Sequence, residues 1–385
     1  MTTDHPLAGL KVLELARILA GPWAGQTLAD LGADVIKVES PDGDDTRGWG
    51  PPFVTDREAA YFHSANRGKR SVVLDFNKPA DLEALHQLLS EADVLIENFK
   101  VGGLQKYGLD YASLSTRYPT LIYCSISGFG QTGPDASKPG YDFIIQGLSG
   151  IMDLTGEPDG QPQKIGVAFA DVFTGLYAVI GIQAALTQRQ VTGEGQHLDL
   201  SLLDCMMGVL ANQAMNFLVS GQAPTRMGNA HPNISPYEVL PCADGWFILA
   251  VGNNAQFQRC CEVLDLSELT ADPRFADNQS RLAHRQALTQ LLAQQCQKWP
   301  QQQLLDALHQ EKVPCGAIHN IEQAFDQPQA KARNLVRQLT RTDGISVPTV
   351  ATPIQFSKAT LNLDQPAPAL GSGKLSWRKL QPSED

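Results

Sequence analysis

Apolar and polar positions change period along this chain and divide it into three stretches. Up to about residue 200, short apolar runs alternate with amphipathic segments. Residues 10–15, 33–38, 71–76, 94–97 and 121–127 predict strands rich in β-branched side chains. Residues 23–31, led by Pro22, and 81–91 predict helices between them. Strands that alternate with helices predict an α/β fold with a parallel sheet covered on both faces. Residues 172–186 are apolar on all sides and predict a buried helix.

After residue 200 the pattern changes. Residues 201–220 read as helical, and the polar, Gly- and Pro-bearing 220–233 suits a linker. A hairpin is predicted over 236–252, turning at Asp244-Gly245. Amphipathic helices follow at 256–264, 281–298 and 301–311, which gives a smaller α+β domain. From about Leu335 the chain is Pro-rich, strand-poor and irregular.

The 385 residues suit about two domains. Charged residues make up 18%, below the roughly 25% of ordinary globular chains, which favours a large buried core. The net charge of −11 argues against a nucleic-acid partner, which needs a basic footprint. Asp171 and Gln183 interrupt the longest apolar segment, 165–186, so no membrane span is expected. Residues 1–11 carry no basic and apolar leader pattern. Seven scattered cysteines without CxxC or Cys/His zinc spacing predict free thiols in a reducing cytoplasm and no metal.

Asp171 is the most informative residue, the only charge between Lys164 and Arg189. Two readings stand: an N-cap of the apolar helix, or a carboxylate nucleophile in a dry pocket. The Ala20-Gly21-Pro22 turn closes the first strand, where open α/β sheets bind ligands. Arg17 before it suits an anion or a solvated surface. Phe99, near Gly102-Gly103, could stack on a purine or sit in an ordinary loop. Gly252-Asn253-Asn254 could cover a reactive site or cap the next helix. His63, His197 and His231 are isolated, no G-x-G-x-x-G follows the first strand, and no G-x-S-x-G occurs.

In order, these pieces resemble a known family. They run Val12-Leu-Glu-Leu-Ala-Arg-Ile-Leu-Ala-Gly-Pro22, Leu31-Gly-Ala-Asp-Val-Ile-Lys-Val-Glu39, Asp45-Thr-Arg-Gly-Trp49 and Asn66-Arg-Gly-Lys69. Glu97-Asn-Phe99, Ser127-Gly-Phe-Gly-Gln-Thr-Gly-Pro134, Gly140-Tyr-Asp142, Ala170-Asp171 and the 193–204 segment follow. The set resembles the class III CoA-transferases, the family of formyl-CoA and carnitine CoA-transferases, over nearly the whole chain.

The resemblance implies a large Rossmann-like domain plus a smaller α+β domain, in ring-like subunits that interlock as a homodimer. The implied division is 1–200 for the first part of the large CoA-binding domain and 201–228 for a linker. The small domain would cover 229–330, and 331–385 would return to the large domain. Asp171 takes the position of the catalytic aspartate. Ile18, Leu19, Ala20, Leu74, Asn98, Phe99, Gly103 and Lys106 match the family's CoA-contacting positions. Arg17, Arg47, Tyr141, His231 and the Gly252, Asn253, Asn254 loop are candidates for the acid substrate. No tightly bound cofactor is implied; acyl-CoA thioesters and carboxylic acids are the substrates, with succinyl-CoA and small dicarboxylates in view. An α-methylacyl-CoA racemase is the rival within the fold, but Tyr141 stands where racemases carry a histidine. A non-catalytic CoA-binding protein is the rival from another class.

Overall fold

The computed structural model describes residues 4–55 and 58–379, so the last six residues of the expected 331–385 return lie outside the described residues. The chain forms two compact units. The first comprises Met1–Ile151, Lys164–Gln222 and Pro328–Asp385; the second comprises Met152–Gln163 and Ala223–Gln327.

The first unit is built on six parallel strands: β1 (Lys11–Glu14), β2 (Asp34–Glu39), β3 (Arg70–Val73), β4 (Val94–Glu97), β5 (Ile122–Ser127) and β6 (His197–Ser201). Their spatial order is 3-2-1-4-5-6, so the direction of winding reverses between β1 and β4. Alternation on the pleat explains the two cores. Val12, Val35, Val94, Ile96, Ile122 and Cys124 face one side, and Leu13, Ile36, Val72, Leu95 and Tyr123 face the other. Helices α1 (Ala20–Asp30) and α2 (Phe169–Thr192) cover the first face, and Leu85, Leu88 and Leu89 of the helix Pro79–Leu89 help cover the second.

Three sequence expectations change here. Strand β6 was not anticipated: its residues are half-polar and only partly buried, as an edge position allows. Helix α2 was expected to be buried all round. It buries one stripe, Ala170, Thr174, Gly175, Ala178, Ile182 and Ala185, while Leu176, Tyr177 and Ile180 face outward. By length and composition this helix could cross a membrane, yet that stripe packs on the sheet. The 201–220 segment, read as one helical run, is two helices, Leu202–Gly208 and Ala211–Ser220, bent by 77°. Leu202 and Met206 join the first core.

The C-terminal segment forms a hairpin, Val336–Thr340 with Ser346–Val350, that composition did not reveal. Its irregular continuation is pinned to the first unit. Gly373 N–H reaches Ser71 O at 2.7 Å, Trp377 Nε1 reaches Leu88 O at 3.1 Å, and Arg378 N–H reaches Asp34 Oδ2 at 2.8 Å.

The second unit pairs Tyr237–Cys242 with Gly245–Ala250, and Cys315–Ala317 adds a third strand. Cys242 opposes Gly245, so the two-residue turn is Ala243-Asp244, one position earlier than expected. The expected 281–298 helix is two, Asn278–Ala283 and Arg285–Cys296, broken at His284. They pack around Phe247, Leu249, Leu288, Leu292 and Leu304.

Candidate active site

The switch point between β1 and β4 gathers several sequence candidates of the first unit, among them Arg17, Ile18, Leu19, Ala20 and Asn98. Asn98, just past β4, holds the chain just past β1: Arg17 N–H donates to its Oδ1 at 2.9 Å, and its Nδ2 donates to Arg17 O at 2.7 Å. Ile18 then adopts φ +71°, a left-handed conformation that a β-branched residue rarely takes. Such a residue costs on the order of 1–3 kcal/mol and persists only where its surroundings hold it. Its N–H lies 3.3 Å from Asp44 Oδ2. Leu19 and Ala20 are buried behind it and lead into α1.

Asp171 lies in the first turn of α2, but it is not the N-cap. Ala168 occupies that position without a side-chain bond. The cap comes instead from Asp142, whose Oδ1 accepts Ala170 N–H at 2.8 Å and Asp171 N–H at 3.4 Å. Gln146 Nε2 fixes the other Asp142 oxygen at 2.7 Å. With the helix end satisfied by another residue, the half-buried Asp171 carboxylate has no hydrogen-bond partner among the described residues. Burial, then the Asp142 charge, push its carboxyl up to about 7. A helix N-terminus favours an anion, so here burial and like charge outweigh the dipole.

Tyr61 was missed by the sequence reading. It sits in the short helix Ala60–Ser64, with its ring 5.4 Å from that of Trp49. Burial, then the charges of Asp171, Asp142 and Asp44, push its phenol up to about 12. The hydroxyl therefore stays protonated within reach of the Asp171 charge. No local pattern marks Tyr61, because folding alone brings it to Asp171.

At the other strand ends, a cavity of about 270 Å³ is lined by Glu97, Phe99, Gly102, Tyr111, Ser125 and His197, among others. Burial pushes Glu97 up to about 7 against the opposing hydrogen bonds of Ser125 and Phe99 N–H. Phe99 lies 6.4 Å from Phe76, which in turn meets Tyr107 edge-on at 5.6 Å. The strand ends thus offer a strained backbone turn, an aromatic shelf and a desolvated carboxylate of raised basicity. That arrangement suits covalent acyl chemistry on a ligand laid along the sheet edge.

The sequence matches the model of CoA-transferase family III over residues 7–374. The chain belongs to that family. The transferase is 55% identical over 372 residues to the succinate–glutarate CoA-transferase of Agrobacterium fabrum (strain C58), covering 95% of this chain and 93% of the relative. It is 39% identical over 374 residues to the succinyl-CoA:glutarate CoA-transferase of Homo sapiens, covering 96% and 85%. A crystal structure of a CAIB/BAIF family protein from Brucella suis aligns with TM-score 0.86 at 58% identity, covering 96% of this chain and 97% of that one.

Not every candidate residue of the transferase converges on the switch point. Leu74 is buried in the second core of the sheet. Lys106 is exposed, with Nζ 4.5 Å from the Tyr107 ring, and Gly103 follows Phe99 on the same loop. Arg17 is half-exposed and paired with Asp45 at 3.0 Å. Tyr141 precedes Asp142 and is 64% exposed. Arg47 needs correction as an acid-binding candidate. Its guanidinium is buried over the Phe62 ring and donates four hydrogen bonds, to Glu39, Glu58 and Pro368 O. Those bonds leave no open fork for a ligand.

His231 and the Gly252–Asn254 loop lie in the second unit. His231 Nδ1 accepts Asn233 N–H at 3.0 Å. Asn253 caps the helix Asn254–Val263, accepting Gln256 N–H at 2.9 Å, and Gly252 N–H donates to Gln256 Oε1 at 2.7 Å. The capping role is the one the geometry carries. Among the described residues no group of His, Cys, Asp and Glu side chains could hold a metal ion.

Proposed function

We propose that this transferase moves CoA from succinyl-CoA to a small dicarboxylic acid, glutarate first among them, with Asp171 as the nucleophile. The observation that carries the reading is the Asp171 carboxylate itself: half-buried, without a hydrogen-bond partner among the described residues, and pushed up to about 7. The printed substrates of the two glutarate-transferring relatives supply the acid class.

The chemistry follows from that carboxylate. An Asp171 oxygen attacks the thioester carbonyl, the C–S bond breaks, and CoA leaves as thiolate. The product is a mixed anhydride between Asp171 and the donor acyl group. The thiolate then attacks the aspartyl carbonyl; the donor acid leaves and Asp171 carries CoA as a thioester. An acceptor carboxylate attacks that thioester and expels thiolate, which gives a second anhydride. Thiolate attack on the acceptor's carbonyl frees the new acyl-CoA and regenerates Asp171. Each step exchanges one acyl oxygen or sulfur for another, so no proton has to be moved. Water would hydrolyse both anhydrides, which is why a desolvated carboxylate suits the task.

Arg17 is the proposed holder of the acceptor's second carboxylate. An exposed ion pair contributes only about 0–1 kcal/mol, so the Arg17–Asp45 pair can yield to a substrate carboxylate. Changing Arg17 to Gln should raise KM for the acid more than KM for succinyl-CoA; equal rises would sink the assignment. Tyr141 is assigned to the same pocket.

We also read the enzyme as a homodimer of the reducing cytoplasm, consistent with its seven free thiols. The decisive test follows new CoA thioesters by mass spectrometry, using succinyl-CoA and a pool of dicarboxylic acids. The wild-type protein should form glutaryl-CoA, and Asp171→Ala should form none. An Asp171→Ala protein that still transfers CoA would refute the nucleophile.

A further inference from the structure

The strained turn after β1 is surrounded by charges that the mechanism does not use. Glu14, Lys37 and Lys69 are fully buried in the first unit, and Asp44 beside them is buried as well. We propose that the Glu14–Lys37–Asp44–Lys69 cluster is a positioning device that holds the Ile18 turn against the helix carrying Asp171.

Each ammonium group spends its donors on Glu14, on one further side-chain oxygen and on a carbonyl beside the turn. Lys37 Nζ lies 3.1 Å from Glu14 Oε1, 2.9 Å from Asp44 Oδ2 and 2.7 Å from Ala16 O. Lys69 Nζ donates to Glu14 Oε1 at 3.0 Å, with Glu14 Oε2 in ion-pair range at 2.8 Å, and to Pro22 O and Asn66 Oδ1 at 2.8 Å. The carbonyls of Ala16 and Pro22 flank the turn, so one lysine grips each side of it. Between them, the Asp44 carboxylate faces the N–H of Ile18. Thr46 sets that carboxylate: its N–H and Oγ1 donate to Asp44 Oδ1 at 3.0 and 2.7 Å.

The turn in turn touches the nucleophile's helix. A Cβ on Gly175 would lie 2.7 Å from Ala20 O and 3.0 Å from Trp23 Cβ. Gly175 is four residues beyond Asp171, on the same face of α2. Any shift of the Ile18 turn is therefore passed to the helix that bears the carboxylate.

Stability alone does not account for the cluster, because apolar replacement of a buried ion network is often neutral or stabilising. Fixing one geometry does account for it. Two carbonyls and one N–H of a strained turn are held by groups that are themselves fixed on β2, the loop after it and the 66–69 loop. Gly25 leaves the room required, since a Cβ there would sit 1.8 Å from Glu14 Oε2.

The inference rests on the proposed reading in one respect, that acyl-CoA meets the Ile18 turn. It is tested by a double-mutant cycle on the intact enzyme. Asp44→Asn removes the tether, and Ile18→Gly lets the turn adopt its positive φ without strain. Asp44→Asn should lower kcat/KM for succinyl-CoA about tenfold in the wild-type background, and much less in the Ile18→Gly background. KM for the acid should change little. The same coupling should appear in the dissociation constant of CoA measured by calorimetry.

An equal loss in both backgrounds, or no loss in either, overturns the positioning role. Thr46→Val loosens Asp44 without changing charge, and serves in the same cycle if Asp44→Asn does not fold. Its loss of kcat/KM should likewise shrink in the Ile18→Gly background. A wild-type enzyme that transfers no CoA would overturn the proposed function instead. The cycle on CoA affinity would then decide the positioning role by itself.

Discussion

Asp171 carries a proton at a pH where an ordinary aspartate has lost it, and this has two measurable results. Attack requires the anion, so kcat/KM should fall as pH drops below about 7, where burial and Asp142 hold the carboxyl. The same shift bears on stability. Between the ordinary value of 3.8 and about 7, the folded protein holds a proton that the unfolded chain has released. Stability therefore declines as pH rises through that window, by about 1.4 kcal/mol per pKa unit. Asp171→Asn has no charge to desolvate. It should be inactive yet melt above the wild type at pH 8, and the gap should close near pH 4. A variant that melts lower at pH 8 would contradict the desolvated carboxylate. Asp142 gives the complementary test. Asp142→Asn removes a like charge, so the lower limb of the pH–rate profile should move to lower pH. Asp142→Ala also removes the cap of α2, which should cost about 1 kcal/mol in denaturant unfolding. The sequence isolates Asp171 as a lone charge in an apolar context, which leaves an N-cap and a nucleophile both open; the family resemblance, not the pattern, points to the nucleophile. The capping partner was not legible, because 29 residues separate Asp142 from it.

At the level of elements, the contact between α1 and α2 depends on small side chains. Gly175→Ala would drive a Cβ to within 2.7 Å of Ala20 O and 3.0 Å of Trp23 Cβ. Overpacking of this kind should cost about 1–3 kcal/mol and shift the helix that carries Asp171, so both Tm and kcat should fall. Gly181 lies on the same helix, and its added Cβ would meet only Leu198 Cδ1, at 3.5 Å. Gly181→Ala should therefore stabilise by up to about 1 kcal/mol, through helix propensity, with activity retained. If the two variants behave alike in thermal melts and turnover, close packing at Gly175 is not what matters. The strands β1 to β5 were legible because most of their residues are buried, which leaves short runs carrying Val, Leu and Ile in the sequence. Strand β6 was not, since His197 and Asp199 interrupt it at the sheet edge. The 281–298 segment keeps one apolar face on both sides of His284, so periodicity alone runs two helices together.

At the level of the whole molecule, the first unit leaves large apolar side chains uncovered. Phe143, Ile144 and Leu148 project from the helix Asp142–Leu148, and Ile180 on α2 is 62% exposed. Met215, Phe217, Leu218 and Val219 crowd the end of the helix Ala211–Ser220, where Leu218 is 70% exposed. Periodicity could not reveal this, because a helix apolar on every side reads alike whether its own core or a second chain covers it. Large apolar side chains left exposed on several helices suit an interface, in keeping with the homodimer proposed above. Light scattering at micromolar concentration should therefore give twice the mass of one chain. Ile180→Lys should shift the mass toward the monomer, or lower solubility if the exposed helices then associate non-specifically. Ile180 is not among the buried stripe that packs on the sheet, so a lysine there leaves the core of the unit intact. Loss of transfer activity in step with loss of the dimer would tie catalysis to assembly. A fully active wild-type monomer would mean that these helices serve another partner.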